Sequence, residues 1–298
     1  MKMSDLIAYP APLAIFVIAI WGFNVVAMKI AVADISPMLF NGLRFLILSI
    51  LLLPFCRITL RQLRQLAPIA VVMGLGHFYT LNLSLLYVES IVTSVILLLG
   101  APCSALLAWL YLGERLSRVQ VGSIIIATLG AIGPSLWLGT MAMKWGILLA
   151  AFCILMWAVG NLQVRRLKQL PLLTLQFWIA CITAPICFLA YQLSPEASPI
   201  WPQLNRQLLI ILAYLVLASS LLAYGIWYSL IHQHGISKIA IFILLQPAFT
   251  MLAGHWLLDE NLALSQWLGG LITISAIFIY YRQGKVIVNR TRVESDHV

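Results

Sequence analysis

The feature that most constrains this chain is its succession of long apolar runs, separated by short polar or basic connections. A helix needs roughly 20 mostly apolar residues to cross a bilayer. Breaking the sequence at charges, prolines and polar clusters predicts ten such spans, over residues 11–31, 38–56, 67–88, 91–112, 119–138, 145–163, 172–192, 207–231, 236–258 and 264–281. The sequence therefore predicts an all-α polytopic membrane protein with ten transmembrane helices.

Composition excludes the soluble and disordered classes. Hydrophobic residues make up 62% of the chain and charged residues 9%, whereas soluble domains are about half apolar and a quarter charged. The net charge of +9 comes from bases scattered between apolar runs, so the expected partners are the lipid bilayer and a small-molecule substrate, and no nucleic acid. The five cysteines lack CxxC spacing, so we expect neither a metal site nor a cofactor.

The basic residues predict how the chain crosses the membrane. With ten spans, both termini lie on one side, and 14 of the 18 lysines and arginines fall on that side against three on the other. Short cytoplasmic loops carry the excess of Lys and Arg. We therefore expect both termini in the cytoplasm, with the cytoplasmic (inner) membrane of a bacterium as the location.

The second half of the sequence repeats features of the first. Residues 85–102 (LLYVESIVTSVILLLGAP) align without a gap with residues 230–247 (LIHQHGISKIAIFILLQP), and Glu114 and Glu260 are each followed by Leu two residues later and Gln six later. The period is five spans, an odd number, so the halves would cross the membrane in opposite senses, as in inverted-repeat transporters. We expect repeats over 11–138 and 145–281 and a polar cytoplasmic tail over 282–298.

Several of these residues resemble the EamA-type branch of the drug/metabolite transporter superfamily. In the first half the matching features are Trp21, Asn24, Lys29, Pro37, Arg44, Pro102 and GERL over 113–116; in the second they are YGIW over 224–227, Pro247 and LDE over 258–260. The resemblance implies a ten-helix carrier with inward termini, commonly an exporter of amino acids or related metabolites.

Two Trp/Asn pairs place polar groups inside apolar runs. Asn24 follows Trp21, and Asn161 follows Trp157, by about one helical turn. A buried amide in a span must find hydrogen bonds, so both pairs should face protein or a cavity rather than lipid. The alternative is that the amides only join helices, with no substrate contact.

Arg44 is a base about seven residues inside the second span. An arginine near the bilayer centre costs roughly 2.5–3.5 kcal/mol on insertion scales, so it needs a role or a partner. It could bind a substrate carboxylate through two parallel hydrogen bonds, or it could pair with backbone carbonyls and lock the helix. Seven residues is still within reach of the interface for a long guanidinium side chain, which favours the structural role. Lys29 lies near a helix end, where it can reach the interface, and is left out of the site.

Further polar and aromatic side chains in spans three, eight and nine complete a predicted cavity. The third span has a stripe of His77, Thr80, Ser84 and Tyr87 at helical spacing. An aromatic cavity with few polar groups suits small amphipathic organic molecules; the alternative is that the aromatic residues form interfacial belts. The predicted cavity comprises Trp21, Asn24, Arg44, His77, Thr80, Ser84, Trp157, Asn161, Tyr224, Trp227, Tyr228 and Gln246. Pro102 and Pro247, at matching places, are either hinges or simple kinks.

These patterns favour a secondary transporter that exports amino acids or related small metabolites by alternating access. No carboxylate lies mid-span and no phosphate-binding loop is present, so transport is expected to be facilitated or coupled to a gradient. A carrier for a nucleoside, a nucleotide-linked compound or a drug-like amphipath is the alternative. A membrane-embedded enzyme would need a catalytic constellation, such as a His/Asp pair or HExxH, that the spans lack. Both a monomer and a homodimer remain open.

Overall fold

Every regular element that the structure describes is helical. The computed structural model describes residues 10–56, 59–113, 116–166, 171–195, 197–234 and 239–295. The α-helices are α1 (Pro10–Asp34), α2 (Pro37–Leu52), α3 (Leu60–Ala70), α4 (Thr80–Ser84), α5 (Ser90–Leu97), α6 (Gly100–Leu112), α7 (Arg118–Leu138), α8 (Met141–Arg166), α9 (Leu172–Gln192), α10 (Arg206–Ala213), α11 (Tyr224–His234), α12 (Gln246–Leu258) and α13 (Leu264–Ser295).

Two π-helical segments and three short 3₁₀ segments interrupt or extend this series. The π segments are π1 (Val71–Tyr79), between α3 and α4, and π2 (Tyr214–Ala223), between α10 and α11. The 3₁₀ segments are Leu53–Phe55, Trp201–Gln203 and Ala240–Leu245. A π turn contains more residues than an α turn, so both segments change the angular spacing of the side chains that follow.

Eight helices within the described residues are long and apolar enough to cross a membrane. Two shorter apolar helices, Arg118–Pro134 and Phe242–Leu258, fall where the fifth and ninth spans were expected. The start predicted for the ninth, at residue 236, lies outside the described residues. The third span ends at Ser84 rather than residue 88, because the chain turns between Leu85 and Glu89. The last helix continues to Ser295, but its apolar part covers Leu264–Gln283, close to the predicted span over 264–281.

Small residues bring the last helix of each half into close contact. The main-chain oxygen of Gly269 in α13 would lie 2.8 Å from a Cβ added to Gly130 in α7. Nearby, the Thr273 hydroxyl donates to the Ala127 carbonyl over 3.2 Å, and Ala127 and Thr273 are fully buried. Helices in lipid associate largely through close packing of this kind.

The irregular features of the two halves occur in the same order. π1 and π2 both lead directly into an α-helix. The fourth span breaks between Leu97 and Gly100, and the ninth begins with the 3₁₀ segment before Gln246. The helix after each break is followed by a residue with positive φ, Gly113 at 69° and Asp259 at 50°. Pro102 and Pro247 therefore lie in the first turn of a new helix, where proline is well tolerated, rather than in mid-helix.

Candidate functional site

Trp21 lies in a cluster of aromatic rings between α1 and α11. Its ring centroid is 5.0 Å from that of Tyr224 and 5.2 Å from that of Trp227. The indole Nε1 donates to the Ser219 carbonyl over 3.4 Å. The tilted ring pairs are in the range where aromatic groups attract one another. Helices α1 and α11 therefore meet through aromatic residues predicted for the cavity.

Asn24 and Arg44 lie beside this cluster and share one neighbour. Asn24 Nδ2 is 4.0 Å from the sulfur of Met28, and Arg44 Nη1 is 3.5 Å from the same sulfur. Asn24 Oδ1 is buried and has no hydrogen-bond partner among the described groups. We refer to Trp21, Asn24, Met28, Arg44, Ser220, Tyr224 and Trp227 as the Trp21 cluster.

The described hydrogen bonds of Arg44 reach side chains rather than the backbone carbonyls considered for a structural role. Its side chain is 2% exposed. Nη2 donates to the Ser220 hydroxyl over 3.3 Å, and the guanidinium carbon lies 4.9 Å from the Phe78 ring centroid. None of the hydrogen bonds described for Arg44 reaches a backbone carbonyl, and its Nε has no partner. Arg44 lies in α2 and faces π2, so its guanidinium points toward the second half of the chain.

A second group of aromatic rings surrounds His77 at the contact of π1 with α8. The imidazole ring centroid is 4.9 Å from that of Trp157 and 4.7 Å from that of Phe78. His77 Nδ1 lies 3.2 Å from the Cys153 carbonyl oxygen and 3.0 Å from its sulfur. Phe78 thus contacts both His77 and Arg44, which links this group to the Trp21 cluster.

The polar stripe predicted along the third span is only partly present. His77 and Ser84 are buried, but Tyr87 lies beyond the end of α4 and is 43% exposed. The hydroxyl of Thr80 donates to the Gly76 and His77 carbonyls, and that of Ser84 to the Leu81 carbonyl. Both hydroxyls therefore donate to main-chain carbonyls of the preceding helical turn. The expectation of one continuous stripe was wrong because π1 and the turn after Ser84 break the regular helical spacing.

The described contacts of Asn161 and Gln246 are with residues other than those of the Trp21 cluster. Asn161 donates to the Ser104 hydroxyl over 3.2 Å, joining α8 to α6. Gln246 is buried at the start of α12, and its main-chain carbonyl accepts from the Thr250 hydroxyl. That hydroxyl also reaches the Gly22 carbonyl over 3.1 Å. The side chain of Tyr228 lies outside the described residues.

An ion pair that was not predicted joins the end of α1 to the turn after α12. Lys29 Nζ lies 3.1 Å from Glu260 Oε1 and donates to the Val88 carbonyl over 2.6 Å. Glu260 accepts from the Ser90 amide over 2.8 Å and from its hydroxyl over 2.6 Å. Lys29 is therefore held by a carboxylate rather than free at the interface. The repetition of Glu114 at Glu260 was the sequence feature that could have drawn attention to Glu260.

A cavity of about 340 Å³ lies beside this ion pair. It is lined by Ile91, Met251, Leu252, His255, Glu260, Asn261, Leu262 and Trp267, none of which was predicted for the substrate cavity. Within the described residues, no three His, Cys, Asp or Glu side chains are grouped so as to hold a metal ion.

Comparisons with known proteins match this chain to a family model, to efflux pumps and to a solved structure of similar fold. The model of the EamA-like transporter family matches residues 9–136 and 144–282. A probable amino-acid metabolite efflux pump of Salmonella typhimurium is 27% identical over 90% of this chain and 93% of its own length; the Escherichia coli protein of the same description is 26% identical over the same shares. A solved crystal structure superimposes with a TM-score of 0.61 at 17% identity, covering 91% of this chain and 96% of the other.

Proposed function

Because the chain belongs to the EamA-like transporter family and has the apolar helices of an integral membrane protein, we propose that it is a secondary transporter that exports amino acids or related small metabolites by alternating access. The substrate class is supported by the two efflux pumps described above, which are similar over nearly their whole length.

The proposed architecture is ten spans arranged as two inverted repeats, over 11–138 and 145–281. Support comes from the separate match of the family model to residues 9–136 and 144–282, and from the order in which π segments, helix breaks and positive-φ ends recur. Five spans per repeat make the halves cross in opposite senses, with both termini in the cytoplasm. The bacterial inner membrane is the proposed location.

The observation that carries the proposal is the position of the Trp21 cluster. Trp21, Asn24, Met28 and Arg44 come from the first matched segment, and Ser220, Tyr224 and Trp227 come from the second. A site built from both halves can change its accessibility when one half moves against the other. Aromatic faces beside one amide and one guanidinium fit a small amphipathic molecule. A nucleotide-linked compound would require more cationic groups than Arg44 supplies.

We further propose that the Lys29–Glu260 contact closes one end of the transport path. It joins α1 of the first segment to the turn after α12 in the second, and Glu260 also binds the start of α5. The proposed topology places these groups on the extracytoplasmic side. In this conformation the substrate would exchange with the cytoplasm, and separation of the pair would accompany release on the other side.

Replacing Trp21 with alanine tests the site. Purified protein is reconstituted into vesicles preloaded with one labelled amino acid at a time, and efflux is measured against empty vesicles. The variant removes the indole that the proposed substrate would contact and the two ring contacts that hold Tyr224 and Trp227 beside it, so we expect efflux to fall about tenfold, equivalent to about 1.4 kcal/mol of substrate binding.

Trp137→Ala is the matched control, because that ring is 87% exposed and contacts no cluster residue in the described structure. Its efflux should equal that of the wild type. If the wild type releases none of the amino acids, the proposed function is wrong. If Trp21→Ala transports like the control, the function stands and the site must lie elsewhere.

A further inference from the structure

We infer that Arg44 is a carboxylate-binding subsite of the Trp21 cluster, and that this chain selects substrates that keep a free carboxylate. The inference rests on the proposed function and deepens it by assigning one chemical group of the substrate to one side chain.

The first step is the charge balance around Arg44. The side chain is buried, and within the described residues the single ion pair is Lys29–Glu260. A guanidinium carries five N–H donors and always remains charged. Here one donor reaches a hydroxyl, one reaches a thioether, which is a weak acceptor, and Nε has no partner. A buried cation in this condition is costly and calls for an anion.

The second step concerns the shape of the anion. The Phe78 and Phe45 ring centroids lie 4.9 and 5.8 Å from the guanidinium carbon. Ring contacts orient the guanidinium and attract it weakly, but they do not neutralise it. A planar guanidinium binds a carboxylate through two parallel hydrogen bonds. With a single cation at this position, a monoanionic group fits better than a phosphate.

The third step is the neighbourhood into which the rest of a substrate would extend. Asn24 Oδ1 is a buried acceptor without a partner, and Asn24 and Arg44 both contact the Met28 sulfur. An ammonium group could donate to that oxygen while the carboxylate binds Arg44. The Trp21 indole donates to the carbonyl of Ser219, which precedes the Ser220 bound by Arg44, and the Tyr224 ring packs on Trp21. An apolar side chain would pack against these rings. Carboxylate, ammonium and apolar group together describe an α-amino acid.

The test compares an amino acid with its own carboxamide. The amino acid released fastest from wild-type vesicles is paired with the matching amide, for example leucine with leucinamide, and each competes for efflux of the labelled amino acid. In the wild type we expect the acid to compete at least tenfold better than the amide. In Arg44→Gln that preference should disappear, and in Arg44→Lys, which keeps the charge but loses the paired donors, it should be partly retained.

Arg61→Gln is the control, because this arginine is exposed on α3 and its loss should leave the preference intact. Arg44→Lys serves as the test variant if Arg44→Gln does not fold. Equal competition by acid and amide in the wild type, or an unchanged preference in either Arg44 variant, would overturn the subsite while leaving the transporter assignment in place. Absence of any efflux from wild-type vesicles would instead overturn the proposed function.

Discussion

Replacing Gly130 with leucine is expected to destabilise the protein by about 3 kcal/mol, the upper part of the usual range for overpacking. A Cβ at this position would lie 2.8 Å from the Gly269 carbonyl oxygen and 2.8 Å from the Thr273 hydroxyl. Backbone atoms cannot move aside as a flexible side chain can, so α7 and α13 must separate. In detergent, the midpoint of thermal unfolding should fall by roughly 5–10 °C.

Gly133→Leu is the matched control on the same helix. A Cβ added there meets nothing within 4 Å, so the same increase in volume should shift the midpoint by less than about 2 °C, as surface substitutions usually do. Equal losses in the two variants would mean that leucine harms α7 itself and that the close contact with α13 is not responsible.

Replacing Glu260 with glutamine is expected to lower the free energy of unfolding by about 2–3 kcal/mol. It should also open the end of the molecule at which Glu260 contacts Ser90 and Lys29. The carboxylate is 8% exposed and accepts from the Ser90 amide, the Ser90 hydroxyl and Lys29. Removing one member of such a pair leaves the other charge without compensation. The partial exposure of Lys29, at 24%, keeps the loss below that of a fully buried pair.

Two measurements check this second expectation. A membrane-impermeant amine reagent applied to whole cells should label Lys29 faster in Glu260→Gln than in the wild type. The double variant Lys29→Met/Glu260→Gln should lose less stability than the sum of the single variants, because the two changes remove one interaction. Asp259→Asn, an equal charge change at the exposed neighbouring residue, should behave as the wild type. Additive losses would contradict the pairing.

The helices were predictable because length and hydropathy are properties of local sequence. The runs beginning near residues 11, 38, 91, 145, 172, 207 and 264 coincide with apolar helices long enough to span a membrane. The breaks before Gly100 and Gln246 were also indicated, since Pro102 and Pro247 cannot donate a helical hydrogen bond. What failed was the assumption of uniform α spacing. Gly74 and Gly76 lie within π1 and Pro68 lies just before it, but such residues do not by themselves predict a π turn or the turn that follows Ser84, so the exposure of Tyr87 could not be predicted from its spacing.

The candidate site was less predictable, because its contacts join residues far apart in the chain. The spacing of Trp21 and Asn24 indicated a buried face, but nothing local named Tyr224, Trp227 or Ser219 as partners. Arg44 stood out by its charge, yet its orientation depends on π2, which sequence spacing did not reveal. Lys29 was assigned to the interface because a lysine at a helix end usually reaches water, and only the folded chain brings Glu260 to it.

The wide turn of π2 has a consequence for how the second half can vary. Successive residues of an α-helix are turned by roughly 100° about its axis. If Tyr214–Ala223 kept its 10 residues but closed into ordinary α geometry, each residue would be turned further about the axis, and Tyr224 and Trp227 would swing away from Trp21. The direction in which both rings point is therefore set by the width of the turns that precede them, and exchanging side chains after Ala223 would not change that direction.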